Sequence, residues 1–389
     1  MGSCNRTGLS SIIHQSLHPE SSVFNCDAYI VMRYFKRFSN CFLQGGYRNY
    51  TIYDVSRKDV FAIDKPTFEL LGLDIFSEEL LQGLPNNRFS ELLDREIIFQ
   101  CPMGDENLFP SIKTNWYSPF LIANCIVDWS IDSTYDIVKI IEQLDTIGCK
   151  TLQLRFYPNV EVNQVVKVLQ CIVGMNIRGV ELVVPFGEEL IDFITRGFES
   201  IVSIICYSAD STSVKAYNNY QVILTKEMFL GVEQCGVVSP SYFICNTDFF
   251  FESINHNSCL NRKISIDTYG NIKNCPSCTQ SFGNINDTTL EQALNHPEFK
   301  KHWNITKDQI DVCKDCEFRH MCTDCRVFIM DPENIYSQPA KCTYNPYIAK
   351  WQGEEGYVPI EECGIYARET GFVVNHERVA ELNKQLWGE

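Results

Sequence analysis

No apolar run in the 389 residues is long enough to span a membrane, and the start lacks the charged-then-apolar pattern of a secretion signal. Met1-Gly2 opens like a myristoylation site, but Arg6 stands where that motif wants Ser or Thr. The chain therefore reads as cytoplasmic, with no membrane partner. Positive charge is scarce too: 33 Lys and Arg against 49 Asp and Glu leave a net charge of −16. Nucleic-acid binding needs a basic face to neutralise phosphates, so no nucleic-acid partner is expected. The sequence has no Gly-rich phosphate loop, no internal repeat and no low-complexity tract, and its seven His are scattered. What remains is a globular composition, 45% hydrophobic and 21% charged, in a chain long enough for two or three domains.

Cysteine is present in quantity. Eight of the 19 fall in one stretch, at Cys259, Cys275, Cys278, Cys313, Cys316, Cys322, Cys325 and Cys342. The three C-x2-C pairs of the chain all lie there. Such a pair on a tight turn aims two sulfurs at one point, as a tetrahedral metal or a cluster iron requires. In a reducing compartment clustered thiols bind metal or do redox work more often than they pair as disulfides. Spacing alone leaves an iron cluster and a structural zinc ribbon both open. The other eleven cysteines are scattered, several in apolar runs such as those around Cys125 and Cys206, and read as buried inert thiols.

Residues 1–31 carry little pattern and read as an extension, with Met32 an alternative start to Met1. Residues 32–105 form a compact unit. Runs at 50–55 and 60–63 alternate like strands around the polar turn Ser56-Arg57-Lys58-Asp59. Asp64-Lys65-Pro66 opens a helix, Ser77 and Ser90 each cap another, and 97–99 is a last short strand. Three strands and three helices predict a winged-helix-like module. Residues 115–250 alternate strands, at 120–127, 151–156, 180–184, 201–206, 221–224 and 242–245, with helices at 134–147, 163–173 and 188–198. Ile137, Ile140, Ile141 and Leu144 share one helix face. This pattern predicts an α/β class with a parallel sheet or barrel. The connection 208–220 is short for a crossover helix, which favours a partial (βα)6 barrel over a full eight-fold one. Residues 255–350 hold the clustered cysteines. Residues 351–389 form a tail with a last helix near 375–386.

From Cys259 the spacing runs through Gly270-x4-Cys275, then Cys313-x2-Cys316-x5-Cys322, Cys325 and a late Cys342. It resembles the SPASM domain, the C-terminal auxiliary-cluster domain of many radical-SAM peptide-modifying enzymes. Cys325 follows Cys322 after two residues where the family has three. The resemblance implies two [4Fe-4S] clusters. One takes Cys313, Cys316, Cys322 and Cys342. The other takes Cys259, Cys275 and Cys325, with Cys278 or Cys245 as an eighth ligand, or an open iron. Lys314, Arg319, Arg326 and Lys341 lie among the ligands and are candidates to offset cluster charge. His320, inside the C-x5-C spacer, reads as a surface residue. Zinc on the same thiols is the alternative.

A radical-SAM barrel carries C-x3-C-x2-C after its first strand and a Gly-Gly-Glu turn after its second. This chain has no C-x3-C; the two places read Asp128-Trp129-Ser130-Ile131-Asp132-Ser133 and Arg155-Phe156-Tyr157-Pro158. Residues 115–250 thus resemble a degenerate radical-SAM barrel, with no S-adenosylmethionine expected and no radical chemistry assigned. The combination resembles the SPASM-domain peptide maturases of grasp-with-spasm systems, which are encoded beside an ATP-grasp ligase and a short precursor peptide. Gly46-Tyr47-Arg48, Ile264-Ser265-Ile266-Asp267, Gly283-Asn284-Ile285 and Cys342-Thr343-Tyr344-Asn345-Pro346 also carry the resemblance. It implies an iron–sulfur protein that binds a ribosomal precursor peptide and assists an ATP-grasp ligase. The N-terminal module would take the leader peptide as an added strand along Val60, Phe61, Ala62 and Ile63, beside the helix bearing Phe89, Leu92 and Leu93. Glu91, Asp94 and Glu96 make that helix acidic, which disfavours DNA. The alternatives are a zinc-stabilised adaptor with no redox role and a radical-SAM enzyme with an atypical cluster loop. No catalytic residue is assigned.

Overall fold

The structure, a computed structural model, describes residues 32–194, 198–217, 219–229 and 231–388. The extension expected at residues 1–31 lies outside the described residues. After β1 (Tyr34–Arg37) the chain forms an antiparallel meander of β2 (Cys41–Gly45), β3 (Tyr50–Asp54) and β4 (Asp59–Ile63). Asp54 sets the β3–β4 turn, its carboxylate accepting from the Ser56 and Arg57 amides at 3.1 and 3.0 Å. Helix α1 (Lys65–Leu71) starts on Asp64, whose side chain accepts from the Thr67 amide at 2.9 Å, with Pro66 in the first turn. Next come β5 (Phe76–Ser77) and α2 (Glu78–Gln82), the latter capped by Ser77 as expected. Helix α3 (Arg88–Asp94) starts on Asn87, in the left-handed region at φ 55°, so Ser90 lies inside the helix rather than capping it. Strand β6 (Ile98–Gln100) closes the unit by pairing with β1, as β5 does on the other side.

The unit thus has the three expected helices and a three-stranded meander, the parts of a winged-helix-like module. It also has a second small sheet, β5-β1-β6, of which the pattern showed only β6, expected at 97–99. Strands of two to four residues are too short for alternation to register, and pairing across some sixty residues creates them. Ile52, Leu71, Phe76, Leu81, Leu92 and Ile97 form the module's core.

The central sheet has eight strands. In chain order they are β7 (Ile122–Trp129), β8 (Cys149–Phe156), β9 (Gly179–Pro185), β10 (Ile201–Tyr207), β11 (Ser213–Ala216), β12 (Gln221–Leu224), β13 (Lys263–Ile266) and β14 (Ile272–Lys273). Their order across the sheet is β11-β12-β10-β9-β8-β7-β13-β14, parallel except for the two outermost strands. Alternation assigns the faces. Cys125, Val127, Leu152, Leu154, Leu182 and Ile204 are buried against α4 (Ile137–Thr146), α5 (Val162–Ile172) and α6 (Glu188–Ile194). Helix α4 presents Ile137, Ile140, Ile141 and Leu144 to them, the face read from the sequence. Gln153, Arg155, Val183, Ile205 and Tyr207 point to the opposite face and line a cavity of about 580 Å³.

The sixth parallel strand is not the one expected. Residues 242–245 form the end of a 3-10 turn, Pro240–Tyr242, and a loop into α7 (Thr247–Asn255). The place beside β7 is taken by β13, from the cysteine-rich stretch, in register Lys263 to Asn124 and Ile266 to Val127. The short connection 208–220 is explained by β11, which folds back as an antiparallel edge. A final helix, His376–Trp387, starts on Asn375, near the bounds expected. No described helix is long and apolar enough to cross a membrane.

The N-terminal module is bonded to the loop between Cys313 and Cys322. The Tyr53 hydroxyl donates to the Glu317 carbonyl, the Tyr47 amide to the Asp315 carbonyl at 2.6 Å, and Arg319 Nη1 to the Gly45 carbonyl at 2.7 Å. Gly46 lies so close that a Cβ there would sit 2.7 Å from the Glu317 amide nitrogen. Gly46→Ala is therefore expected to push the hairpin off this loop and cost about 1–3 kcal/mol in chemical denaturation. An unchanged midpoint would show that the contact yields freely.

Candidate metal centre

Two short turns and two loops bring the first set of thiols together. Val312 sits at φ 66°, a costly conformation for a β-branched residue, immediately before the 3-10 turn Cys313–Asp315. The Cys316 amide then bonds the Cys313 carbonyl at 3.0 Å, closing the C-x2-C turn. Cys322 and Cys342 are fixed by amide bonds to the carbonyls of Phe318 and Pro339, both 3.1 Å. Cys313, Cys316, Cys322 and Cys342 all line one cavity, walled by Phe243, Phe318, Tyr344 and Trp351. These are the four residues that the resemblance to the SPASM domain groups. Burial pushes the Cys313 thiol up to about 12 and raises Cys316 and Cys342 as well, so loading a metal here releases protons.

The second set lies under the sheet. Cys259 and Cys325 line the larger cavity, and Cys259, Cys275 and Cys325 lie within electrostatic reach of one another. Cys278 bonds back to Cys275 and is the nearby candidate for an eighth ligand. That hydrogen bond, with Lys263 nearby, lowers the Cys275 thiol. Cys245 is elsewhere: its Sγ lies 3.4 Å from the Asp59 carbonyl, among Tyr53, Val60 and Phe250. Among the described residues none of its contacts is with Cys259, Cys275 or Cys325. Cys235, which the sequence reading left among the inert thiols, lines the same cavity as Cys259 and Cys325, with Arg155 Nη1 3.8 Å from its Sγ. The usable signal was its loop, flanked by Gly231 and Gly236 at φ 93° and 78°.

The charges that meet the sulfurs are not those expected. Lys314 turns to Asp311, Arg319 to Asp308, and Arg326 to Asp324; Lys341 donates to the carbonyls of Glu233 and Cys235. Two other lysines reach the thiols. Lys307, only 4% exposed, places Nζ 3.3 Å from Cys322 Sγ and 3.9 Å from Cys313 Sγ. Lys263 places Nζ 3.4 Å from Cys259 Sγ. A buried ammonium costs several kcal/mol in lost hydration, while one unit charge 4 Å away returns about 4 kcal/mol at a protein-like dielectric. Lys307 has one carboxylate near it, Asp324 at 4.0 Å, and that group already accepts from Arg326 and Asn257. The lysine charge is left for the sulfurs, which favours a thiolate-held group of net negative charge. His320, expected at the surface, is buried under Phe250 with Nε2 3.5 Å from Asp308.

The donor set fits an iron–sulfur cluster. A single zinc needs its sulfurs about 2.3 Å from one centre. Among the described residues no three His, Cys, Asp or Glu side chains converge closely enough to hold one ion. Four thiols lining one apolar pocket match in number the four irons of a cluster, each taking one sulfur.

The proposed peptide positions divide. Among the described strands β4 pairs only with β3, so its other edge is free. Ile63 and Leu92 are buried in the module core, Phe89 packs edge-on against Phe35, and Val60 faces Phe243 and Cys245. Ala62 and Leu93 are exposed, and Phe61 carries Arg95 over its ring at 4.7 Å.

Residues 258–317 match the SPASM iron–sulfur cluster-binding domain. The match holds five of the eight clustered cysteines, and the structure adds Cys322 and Cys342 to the cavity of Cys313 and Cys316. Two crystal structures, of Streptococcus suis SuiB and of SuiB bound to S-adenosylmethionine, each show 9% sequence identity and a TM-score of 0.31. The alignment covers 75% of this chain and 96% of theirs. No curated protein matches the sequence.

Cys342→Ser is expected to remove about four irons per chain from the first site, read by iron assay, while leaving the second. Cys245→Ser is expected to leave iron content unchanged. Equal losses from the two would contradict the placement.

Proposed function

We propose that this chain is an iron–sulfur protein of ribosomal-peptide maturation, which binds a precursor peptide through its N-terminal module and assists an ATP-grasp ligase. The observation that carries it is the meeting of Cys313, Cys316, Cys322 and Cys342 on one apolar cavity, the first two of them inside the stretch 258–317 that matches a cluster-binding domain. Cys259, Cys275 and Cys325, with Cys278 or Cys235, would hold a second cluster. When bound, such clusters supply one-electron transfer, or a ligand position where an iron is left open. The chain's own residues hold the group with thiols, shield it with Phe243, Phe318 and Tyr344, and oppose its charge with lysine.

The sheet supports the reading of a degenerate barrel. The strand β7 carries Asp128 as its penultimate residue, and the neighbouring β8 carries Arg155 where a cofactor turn would be sought. Arg155 Nε and Nη2 donate to the two carboxylate oxygens at 2.5 and 2.6 Å, and both side chains are buried. An ion pair held on both oxygens occupies the strand ends. The free edge of β4 beside α3 supports strand addition by an extended peptide, with main-chain bonds giving affinity and side-chain contacts giving selectivity.

The proposal expects a short precursor gene beside that of this chain, and the test uses a synthetic peptide of its sequence. Leu93→Glu on the exposed face of α3 is expected to weaken its binding at least about tenfold, a loss of 1.4 kcal/mol or more. Leu80→Glu, also exposed but on α2, is expected to have no effect. Absence of binding by the unaltered chain, or an unchanged affinity for Leu93→Glu, would contradict peptide recognition along β4.

A further inference from the structure

We propose that Lys307 and Lys263 set the reduction potentials of the two metal centres, each as a fixed positive charge hydrogen-bonded to a cluster-holding sulfur. This rests on the iron–sulfur reading above. Each cysteine set has one such lysine: Lys307 on Cys322 and Cys313, Lys263 on Cys259. Neither is provided for elsewhere. Asp324, the carboxylate nearest Lys307, is already held by Arg326 at 2.7 Å and by Asn257 at 2.6 Å. Among the described residues Lys263 has no carboxylate within ion-pair distance, and Glu252, which feels its charge, accepts instead from Asn261 at 2.8 Å. Cations close by in sequence form ordinary ion pairs with carboxylates instead. Lys314, next to Cys313, is 40% exposed in its side chain and pairs with Asp311.

The direction of the effect follows from charge. Reduction adds one electron to the cluster, breaks no bond, and makes the centre one unit more negative. A buried cation at hydrogen-bond distance favours that form, so it raises the potential. The two lysines are not equivalent. Lys307 is wholly buried and touches two sulfurs, whereas Lys263 touches one and is only partly buried. The first centre therefore depends on its lysine more strongly than the second.

The experiment is an electrochemical titration of the anaerobically purified full chain, with the electrode supplying the electron, alongside iron and sulfide assays. Lys307→Met is expected to keep its iron and shift one midpoint to a more negative potential. Lys263→Met is expected to shift the other by less. Lys307→Arg, which keeps the charge, restores most of the first shift, and Lys314→Met leaves both midpoints in place. Loss of iron from the first site in Lys307→Met, retained in Lys307→Arg, also supports the role of the charge. If Lys307→Met does not fold, the comparison of Lys263→Met with the unaltered chain decides. Variants with full iron and unshifted midpoints overturn the proposal and leave the cluster reading standing. Zinc without sulfide in the unaltered chain overturns both.

Discussion

Negative sulfur in an apolar cage is the constraint around which the rest is arranged. Thiolates lose hydration when buried, and a protein keeps them only by coordinating them or by setting positive charge beside them. Here Lys307 is buried against two of the four sulfurs, and its one neighbouring carboxylate is already occupied. In the metal-free chain burial holds these thiols protonated. The cage, the lysine and the metal are therefore mutually dependent: each lowers the cost of the others.

That cage also ties the parts of the molecule together. The N-terminal hairpin β2–β3 grips the Cys313–Cys322 loop through Tyr53, Tyr47 and Gly45. From the other side, β13 carries the start of the cysteine-rich stretch into the central sheet, so Cys259 and Lys263 stand at the end of a strand paired with β7. On the proposed reading, a peptide laid along β4 would lie on a module that shares backbone bonds with the first metal loop. The second cysteine set faces the cavity under the sheet, where Arg155 and Cys235 meet it.

Much of this was legible because it is local. The C-x2-C turns, the apolar face of α4 and the caps on Asp64 and Ser77 depend on residues a few positions apart. What was not legible depends on distance. The strand expected at residues 242–245 had the right composition, but β13 took the place beside β7, and sequence pattern cannot rank two such partners. Lys307 sits in Ile305-Thr306-Lys307-Asp308-Gln309-Ile310, which reads as an ordinary polar turn between apolar residues. Nothing there shows that the side chain points inward. The cations within the ligand run looked better placed and proved to be committed to Asp311, Asp308 and Asp324. His320 was misjudged for the same reason, since Phe250 on α7 covers it.

Metal and sulfide analysis of the anaerobically purified chain tests the central claim most directly. Two clusters on these thiols require about eight irons and eight acid-labile sulfides per chain. Stoichiometric zinc with no sulfide would contradict them.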